Sequence, residues 1–225
     1  MISAMPEAVF FDWDGTLVNS IPMLHRAHNH VRVHFDLPAW SMEEFRDNMH
    51  NSSRDIYPKI YGGNVDEAFT LLYQYVEDHH LNDIEAFPMA MDLVRLLSDW
   101  SIPMSVISNK KHEYVVKEVQ TMGVFDLFDN VIGSGRLDVD KPSGKPILET
   151  LAMSSLKPHP ENIWYVGDSD TDLMASNDAG VASILLAQSP RKEDLIAKFS
   201  PFLAFNSCKD LHDALIQCKQ SNSIV

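Results

Sequence analysis

The sequence predicts an α/β fold, with a doubly wound, Rossmann-like parallel sheet as its core and a small all-helical cap domain. Short apolar runs bounded by turn residues alternate with longer segments that have helical periodicity. This alternation is typical of βαβ units, which form a parallel sheet covered by helices on both faces. A stretch of purely helical patterns interrupts the alternation directly after the first apolar run, and it indicates an inserted second domain.

Four apolar runs are predicted strands, at residues 8–11, 104–108, 163–167 and 181–186. Between them, apolar side chains recur at the spacing of one buried helix face over residues 93–100 and over residues 115–122. The second of these helices is predicted to stop at Gly123, because glycine is favoured just past a helix end. A third helix is predicted to begin at Asp170, which can cap it, and to end before Gly180.

The interrupting segment sets the predicted domain boundaries. From residue 21 to about residue 87 the sequence contains amphipathic helical patterns and no convincing strand. Pro88 suits the start of the helix that returns the chain to the sheet. We therefore expect an α/β core built from residues 1–17 and 88–225, and a helical cap built from residues 18–87.

The charge balance excludes several kinds of partner. The chain has 32 acidic and 18 basic residues and a formal net charge of -14, so its field repels nucleic acid and anionic membrane surfaces. The amino terminus lacks the pattern of a signal peptide, and no segment approaches membrane-spanning length. Cys208 and Cys218 are roughly 15 Å apart on a predicted helix, too far for a disulfide. We expect a cytoplasmic protein.

Polar residues follow three of the predicted strands at the point where each strand ends. Ligands of an open parallel sheet bind beyond the carboxyl ends of its strands, so these residues are expected to meet at one edge. They are Asp12, Asp14, Gly15 and Thr16 for the first strand, Ser108, Asn109, Lys110 and Lys111 for the second, and Asp168, Ser169, Asp170, Thr171 and Asp172 for the third.

The carboxylates of Asp12, Asp14 and Asp168 predict a metal site. Crowded together, they cannot all stay ionised without a cation, and oxygen ligands suit Mg²⁺ better than zinc. A bound divalent ion would attract a phosphate, whose oxygens Ser108 and a nearby lysine could bind. One aspartate could act as nucleophile and another as acid and then base. The pattern predicts phosphoryl transfer through an aspartyl-phosphate.

Four segments of the sequence resemble the motifs of a known family. In order and spacing, "FFDWDGTLV", "VISNK", "DKPSGKPIL" and "YVGDSDTD" resemble the four motifs of the haloacid dehalogenase superfamily, whose members are mostly phosphatases. The predicted helical insert lies where that family inserts its small helical cap. The resemblance implies that Asp12 is the nucleophile. It also implies that Asp14 is the acid and base, and that the backbone carbonyl of Asp14 binds Mg²⁺.

The same resemblance implies roles for the other motif residues. Ser108, helped by the backbone beside Asn109, would bind the transferring phosphoryl group. Asp168 would complete the metal ligands, and Asp172 would hold the metal's waters or orient the loop.

The third motif contains two lysines that precede a proline, Lys141 and Lys145. The family's lysine-proline-x-proline pattern aligns with Lys141 as the phosphate-binding lysine, although Gly144 replaces the usual second proline. Lys145 is the alternative candidate for the phosphate-binding lysine.

Three further basic residues are Lys110 and Lys111, at the end of the second motif, and Arg54, in the predicted cap. Lys110 and Lys111 are interpreted as a solvated pair beside the site. Arg54 is predicted to lie in the first turn of a cap helix, where in related capped enzymes an arginine can bind the second anionic group of the substrate. A surface ion pair with Asp55 or Glu44 explains Arg54 about as well.

Together these features predict a Mg²⁺-dependent phosphatase of a small soluble phosphomonoester, acting as a monomer or homodimer. The chain looks nearest to phosphoglycolate phosphatase-like members of the superfamily, so phosphoglycolate is the first substrate expected. A β-phosphoglucomutase-like phosphotransferase, or a phosphatase acting on pyrophosphate, a sugar phosphate or a nucleotide, stays an alternative. Asp14 argues against a dehalogenase, and the intact acidic positions argue against a non-enzymatic binding module.

Overall fold

The computed structural model describes residues 2, 4–48, 53–82, 84–154, 159–187 and 191–222, without the side chains of residues 53–55 and 222. The chain divides into two compact units. One consists of Met1–Asn19 and Glu85–Val225, and the other of Ser20–Ile84. The domain boundaries expected from the sequence stay a prediction.

The described residues form six strands and ten α-helices. The strands are β1 (Ala8–Phe11), β2 (Met104–Lys111), β3 (Asn130–Ser134), β4 (Ile163–Gly167), β5 (Ala182–Leu186) and β6 (Leu203–Phe205). The helices are α1 (Ile21–His34), α2 (Met42–Asn48), α3 (Ser53–Tyr61), α4 (Val65–His79), α5 (Ala90–Asp99), α6 (His112–Thr121), α7 (Lys145–Met153), α8 (Asp170–Ala179), α9 (Lys192–Phe199) and α10 (Cys208–Asn222).

The first unit is built on a six-stranded parallel sheet in the order β3-β2-β1-β4-β5-β6. Side chains of one sheet face, including Ala8 and Phe10, pack against Ile147 of α7 and Ala175 of α8. Val9 points to the opposite face, because side chains alternate along a strand, and it is also buried. A strand buried on both faces is typical of a doubly wound sheet, so the predicted fold class is confirmed.

The two strands that the sequence did not predict are the least distinct ones. The strand β3 has the sequence "NVIGS" and β6 has only three residues. In β3 only Val131 and Ile132 form an apolar run, and in β6 only three residues do, which is shorter than the run of about four to eight apolar residues that predicts a buried strand. The strand β2 is longer than predicted and continues through the polar residues to Lys111, with a register shift after Ile107.

Helix α8 begins at Asp170, as predicted, but its cap is the residue before. Ser169, not Asp170, is its N-cap: the Ser169 hydroxyl accepts a hydrogen bond from the backbone N–H of Asp172, and the Asp172 carboxylate accepts one from the backbone N–H of Ser169. This reciprocal pair is a capping box. Asp170 instead lies in the first turn, where it forms ion pairs with Arg191 and Lys198.

The second unit contains α1 to α4, and its described residues include no strand. Its interior is aromatic around His28, which is buried on α1. The ring of His28 lies edge-on to Tyr57 at 5.4 Å, and its Nδ1 forms a 2.9 Å hydrogen bond with the Tyr57 hydroxyl. A neutral imidazole forms this bond in either tautomer, as acceptor at an unprotonated Nδ1 or as donor from a protonated one.

Within the part of the chain that the structure describes, none of the helices has the length and apolar character needed to cross a bilayer.

Burial of His28 predicts a pH dependence of stability. Burial, together with the charge of His25, lowers the pKa of His28 from 6.5 to about 4. Below pH 6.5 the unfolded chain binds a proton at His28, whereas the folded chain stays unprotonated there until the pH falls to about 4. The group therefore lowers stability as pH falls through this window, by up to about 3 kcal/mol.

We expect His28→Phe to flatten the decrease of the unfolding midpoint between about pH 6.5 and pH 4, measured by thermal unfolding. His34→Gln removes a largely exposed imidazole of the same helix and serves as the matched control. Equal pH profiles for wild type and His28→Phe would contradict this prediction.

Candidate active site

A buried lysine lies between two aspartates at the carboxyl edge of the sheet. Asp12 follows β1, and its backbone N–H continues the sheet pairing by donating to the carbonyl of Val166 at 2.9 Å. The Nζ of Lys141 lies 2.7 Å from Oδ1 of Asp12 and 2.7 Å from Oδ1 of Asp172. All three side chains are buried. The lysine thus joins the end of the first strand to the helix that follows the fourth.

Lys141 is held in place through its backbone as well. The side-chain amide of Asn109 donates to the carbonyl of Lys141 at 2.8 Å and accepts from its backbone N–H at 3.0 Å. Lys145, in contrast, has a half-exposed side chain 3.3 Å from Glu149, one turn along the same helix. The geometry therefore separates the two lysines of the third motif, because only Lys141 contacts the aspartates.

The glycine that replaces the family's second proline has a structural cause. The backbone N–H of Gly144 donates to Asp178 at 2.7 Å, a bond that proline cannot form. A Cβ atom at this position would overlap the backbone of Ala179. The loop and helix α8 therefore approach each other more closely than a side chain at residue 144 allows.

Asp168 completes the acidic cluster from the end of β4. The hydroxyl of Thr16 lies 3.4 Å from Oδ1 of Asp168 and 3.4 Å from Oδ2 of Asp12, between the two carboxylates. Gly15 has a φ of +87°, and a Cβ there would overlap the Asp168 carboxylate. Glycine at residue 15 thus permits both the turn and the close approach of Asp168.

Asp172 is engaged on both of its carboxylate oxygens. Its Oδ1 accepts from Lys141, and its Oδ2 accepts from the hydroxyl and backbone N–H of Ser169, at 2.6 Å and 3.1 Å, and from the backbone N–H of Asp168 at 3.2 Å. These bonds bind the loop between β4 and α8 to its own helix. Asp172 therefore orients the loop that carries Asp168.

The cluster has donors that fit a hard divalent cation. Carboxylate oxygens of Asp12, Asp168 and Asp172 all lie within 4.8 Å of one another. Burial, joined by the charges of Asp172 and Asp14, raises the pKa of Asp12 to about 7 against the opposing charge of Lys141. Burial and the charges of Asp172 and Asp12 raise the pKa of Asp168 well above its ordinary value. The cluster thus has more negative charge than Lys141 balances, and its all-oxygen donor set suits Mg²⁺.

The side chain of Asp14 has a different partner. Its Oδ1 accepts from the Nζ of Lys110 at 2.8 Å. Burial alone would lower the pKa of Lys110, but the charges and hydrogen bonds of Asp14 and Glu118 outweigh it and raise this pKa. Lys111 has a mostly exposed side chain paired with Glu113 at 3.0 Å. The interpretation of the two lysines as a solvated pair is therefore wrong for Lys110.

Local pattern in the sequence does not separate Lys110 from Lys111. The predicted strand ends at Ser108, whereas β2 continues to Lys111 with a register shift after Ile107, so alternation along the predicted strand does not reach residue 110. The partner of Lys110 could not be found from the sequence either. Glu118 is completely buried on α6, and nothing in the local pattern marks it as a neighbour of Asp14.

These side chains surround a cleft of about 280 Å³. Ser108 is buried at its wall, and its hydroxyl oxygen accepts from the backbone N–H of Lys110 at 3.1 Å. The lining residues are Asp12, Asp14, Ser108, Asn109, Lys110, Lys141, Asp168, Ser169, Thr171 and Asp172. The side chain of Arg54 lies outside the described residues, so the structure says nothing about its predicted role.

Known proteins with similar sequences and folds define the class of this chain. The family model of haloacid dehalogenase-like hydrolases matches residues 9–186. Phosphoglycolate phosphatase 1 of Pseudomonas aeruginosa is 28% identical, over 92% of this chain and 79% of that protein. Pyrophosphatase PpaX of Oceanobacillus iheyensis is 25% identical, over 90% of this chain and 94% of that protein.

Solved structures agree on the fold. A haloacid dehalogenase-like family hydrolase from Streptococcus pneumoniae superposes with a TM-score of 0.80 at 20% identity, over 94% of this chain and 98% of that one. The sheet, the cleft at its carboxyl edge and the sequence matches define a phosphatase. The chain belongs to the haloacid dehalogenase-like hydrolase family.

The position of Lys141 predicts a large effect on stability. Lys141→Met leaves the buried carboxylates of Asp12 and Asp172 without their cation, so we expect a loss of about 3 kcal/mol in the free energy of unfolding. Lys145→Met, the matched control, should change this free energy by less than about 0.5 kcal/mol, because the pair it breaks is half exposed. Urea unfolding without added metal measures both, and equal midpoints for the two variants would refute the assignment.

Proposed function

We propose that this phosphatase is Mg²⁺-dependent and hydrolyses a small phosphomonoester through an aspartyl-phosphate on Asp12, with phosphoglycolate as the first substrate to test. The observation that carries the proposal is the position of Asp12. Its carboxylate lies at the floor of a polar cleft, at the end of the central strand, with Lys141 at 2.7 Å. Relatives named phosphoglycolate phosphatase support this substrate.

In the first half of the reaction, a carboxylate oxygen of Asp12 attacks phosphorus and the bond from phosphorus to the ester oxygen breaks. Asp14 gives a proton to the departing oxygen. Lys141 and the hydroxyl of Ser108 bind the phosphoryl oxygens as charge develops on them. The side chain of Asn109 supports this step indirectly, since it holds the backbone of Lys141.

In the second half, a water molecule attacks the phosphorus of the aspartyl-phosphate. Asp14 accepts the proton of this water, and the bond from phosphorus to the Asp12 oxygen breaks. Inorganic phosphate leaves and the carboxylate of Asp12 is restored. Asp14 gives up one proton in the first half of the reaction and accepts one in the second, so it ends in its initial protonation state.

Asp12, Asp168 and the backbone carbonyl of Asp14 would hold the Mg²⁺. Asp172 is left out of this set, because its Oδ2 already accepts three hydrogen bonds from the loop before α8 and its Oδ1 accepts one from Lys141. Oδ2 of Asp12, by contrast, is contacted by the Thr16 hydroxyl at 3.4 Å, a weak bond that leaves this oxygen available to the ion. When bound, the ion supplies positive charge beside the phosphoryl oxygens and balances the carboxylates.

Pyrophosphate is the second substrate that a specific observation favours, because relatives named pyrophosphatase PpaX match 90% or more of the chain. We keep the expectation of a cytoplasmic enzyme that acts as a monomer or homodimer.

The first test measures phosphate release from a panel containing phosphoglycolate, pyrophosphate, sugar phosphates and nucleotides, each with Mg²⁺. We expect phosphoglycolate to have the highest kcat/KM. A preference for pyrophosphate would favour the second candidate. Absence of phosphate release from every member would overturn the proposed function.

Asp12→Asn should lower turnover of the best substrate at least about 1000-fold, because an amide oxygen is a poor nucleophile. The near-identical size of asparagine should preserve the fold, which circular dichroism checks. Asp138→Asn, the same substitution at a side chain that is 93% exposed, should keep the wild-type rate. Substantial turnover by Asp12→Asn would refute the assignment of the nucleophile.

Added Mg²⁺ should stabilise the protein by mass action. At a concentration about 100 times its dissociation constant, the ion should add about 2.7 kcal/mol, or roughly 5 to 10 °C in melting temperature. Asp168→Asn should weaken this response, and KCl of equal ionic strength should not reproduce it. A melting temperature indifferent to millimolar Mg²⁺ would contradict the proposed ligands.

A further inference from the structure

A buried carboxylate outside the aspartate cluster is connected to Asp14. Glu118, on α6, is completely buried. Its Oε1 lies 2.7 Å from the Nζ of Lys110, and its Oε2 accepts from the same Nζ at 2.8 Å. Lys110 in turn donates to Oδ1 of Asp14 at 2.8 Å. The lysine is therefore shared between a carboxylate in the interior and one that lines the cleft.

A second contact connects Glu118 to the segment formed by Asp12, Trp13 and Asp14. Oε2 of Glu118 accepts a 2.8 Å hydrogen bond from the indole Nε1 of Trp13, whose side chain is completely buried. Trp13 is the residue between Asp12 and Asp14. Glu118 thus contacts this segment in two ways: directly at the side chain of Trp13, and indirectly through Lys110, which binds Asp14.

The cost of this arrangement indicates that it does more than stabilise the fold. A buried charged residue is rare unless paired, and well-packed apolar residues in the place of a buried ion pair often give equal or greater stability. Both ends of the present pair lead to the segment that contains Asp12 and Asp14. The buried pair of Lys110 and Glu118 is therefore best explained by its effect on the positions of the Asp12 and Asp14 carboxylates.

The shared lysine also distinguishes the two oxygens of Asp14. An ammonium group only donates hydrogen bonds, so the oxygen that faces Lys110, Oδ1, serves as an acceptor. Oδ2 is left as the oxygen that exchanges a proton with the leaving group and with water. Fixing Lys110 therefore fixes which oxygen of Asp14 points toward the substrate.

We propose that Glu118 is a positioning residue for Asp14, which it orients through Lys110 and Trp13. The inference rests on the proposed function, in which Asp14 protonates the leaving oxygen. When the bond from phosphorus to the ester oxygen breaks, that oxygen takes the proton from Oδ2 of Asp14 and leaves as the alcohol. Without Glu118, Lys110 loses one of its two carboxylate partners, and the Asp14 side chain loses its fixed orientation.

The test compares two substrates of nearly equal shape, phenyl phosphate and 4-nitrophenyl phosphate. The phenyl leaving group needs a proton from the acid far more than the nitrophenyl group, which leaves readily as the anion. The ratio of their kcat/KM values therefore reports how well Asp14 delivers its proton. A variant that only lowers the fraction of folded enzyme changes both values equally and leaves the ratio unchanged.

Glu118→Gln removes the charge but keeps an acceptor for Trp13. We expect it to lower kcat/KM for phenyl phosphate about 10-fold, and that for 4-nitrophenyl phosphate less than about 3-fold. Asp14→Asn should shift the ratio further in the same direction, and adding Glu118→Gln to it should shift the ratio no more. Val115→Ala, a buried position on the same helix, is the matched control and should keep the wild-type ratio.

If Glu118→Gln does not fold, the double variant Lys110→Met with Glu118→Gln replaces it, since it leaves neither a lysine nor a glutamate charged and alone in the interior. Asp14, which lines the cleft, then loses the donor at its Oδ1, and the same shift of the ratio is expected. A wild-type ratio in Glu118→Gln or in the double variant, together with a shifted ratio in Asp14→Asn, overturns the positioning role and leaves the proposed function intact. A wild-type ratio in Asp14→Asn refutes that residue as the acid, and the positioning role with it.

Discussion

The ammonium of Lys141 lies between the carboxylates of Asp12 and Asp172, and the arrangement of the site depends on this buried contact. It connects three parts of the chain that are far apart in sequence: the end of β1, the loop before α7 and the first turn of α8. Each of these charges would be costly to bury alone, so the three must be placed together. Asn109 fixes the lysine from the backbone side, which ties the end of β2 to the same point.

Charge in the cleft is divided between two lysines with separate partners. Lys141 forms ion pairs with Asp12 and Asp172, whereas Lys110 forms ion pairs with Asp14 and Glu118. The aspartates of the first motif are two residues apart in the sequence, and each has its own cation. This division keeps Asp12 and Asp14 in different surroundings, as the proposed nucleophile and the proposed acid require if they are to act in turn. The remaining excess of negative charge, around Asp12 and Asp168, is what a divalent ion would balance.

Much of the fold and the acidic part of the site could be predicted because the signals are local. The strands β1 and β4 match their predicted ranges, since each is a short apolar run with a polar residue directly after it. The strands β3 and β6 escaped prediction because their runs of apolar residues, two and three long, are too short to indicate a strand. Ser169 was overlooked as the cap of α8 because Asp170, the next residue, is an equally good capping type.

The doubly wound class follows from the sequence alone, and so does the meeting of carboxylates at one place, because residues at the carboxyl ends of parallel strands must share one edge of the sheet. The tertiary structure was needed to show that Asp172 joins Asp12 and Asp168 whereas Asp14 pairs with Lys110, and which cation each carboxylate has. Lys141 and Lys145 both precede a proline, and Lys110 and Lys111 are adjacent, so local pattern does not separate the members of either pair. The difference lies in burial, because an ammonium in the interior needs carboxylates beside it. The end of β1 and the packing of α6 and α8 on the sheet bring those carboxylates to Lys141 and Lys110.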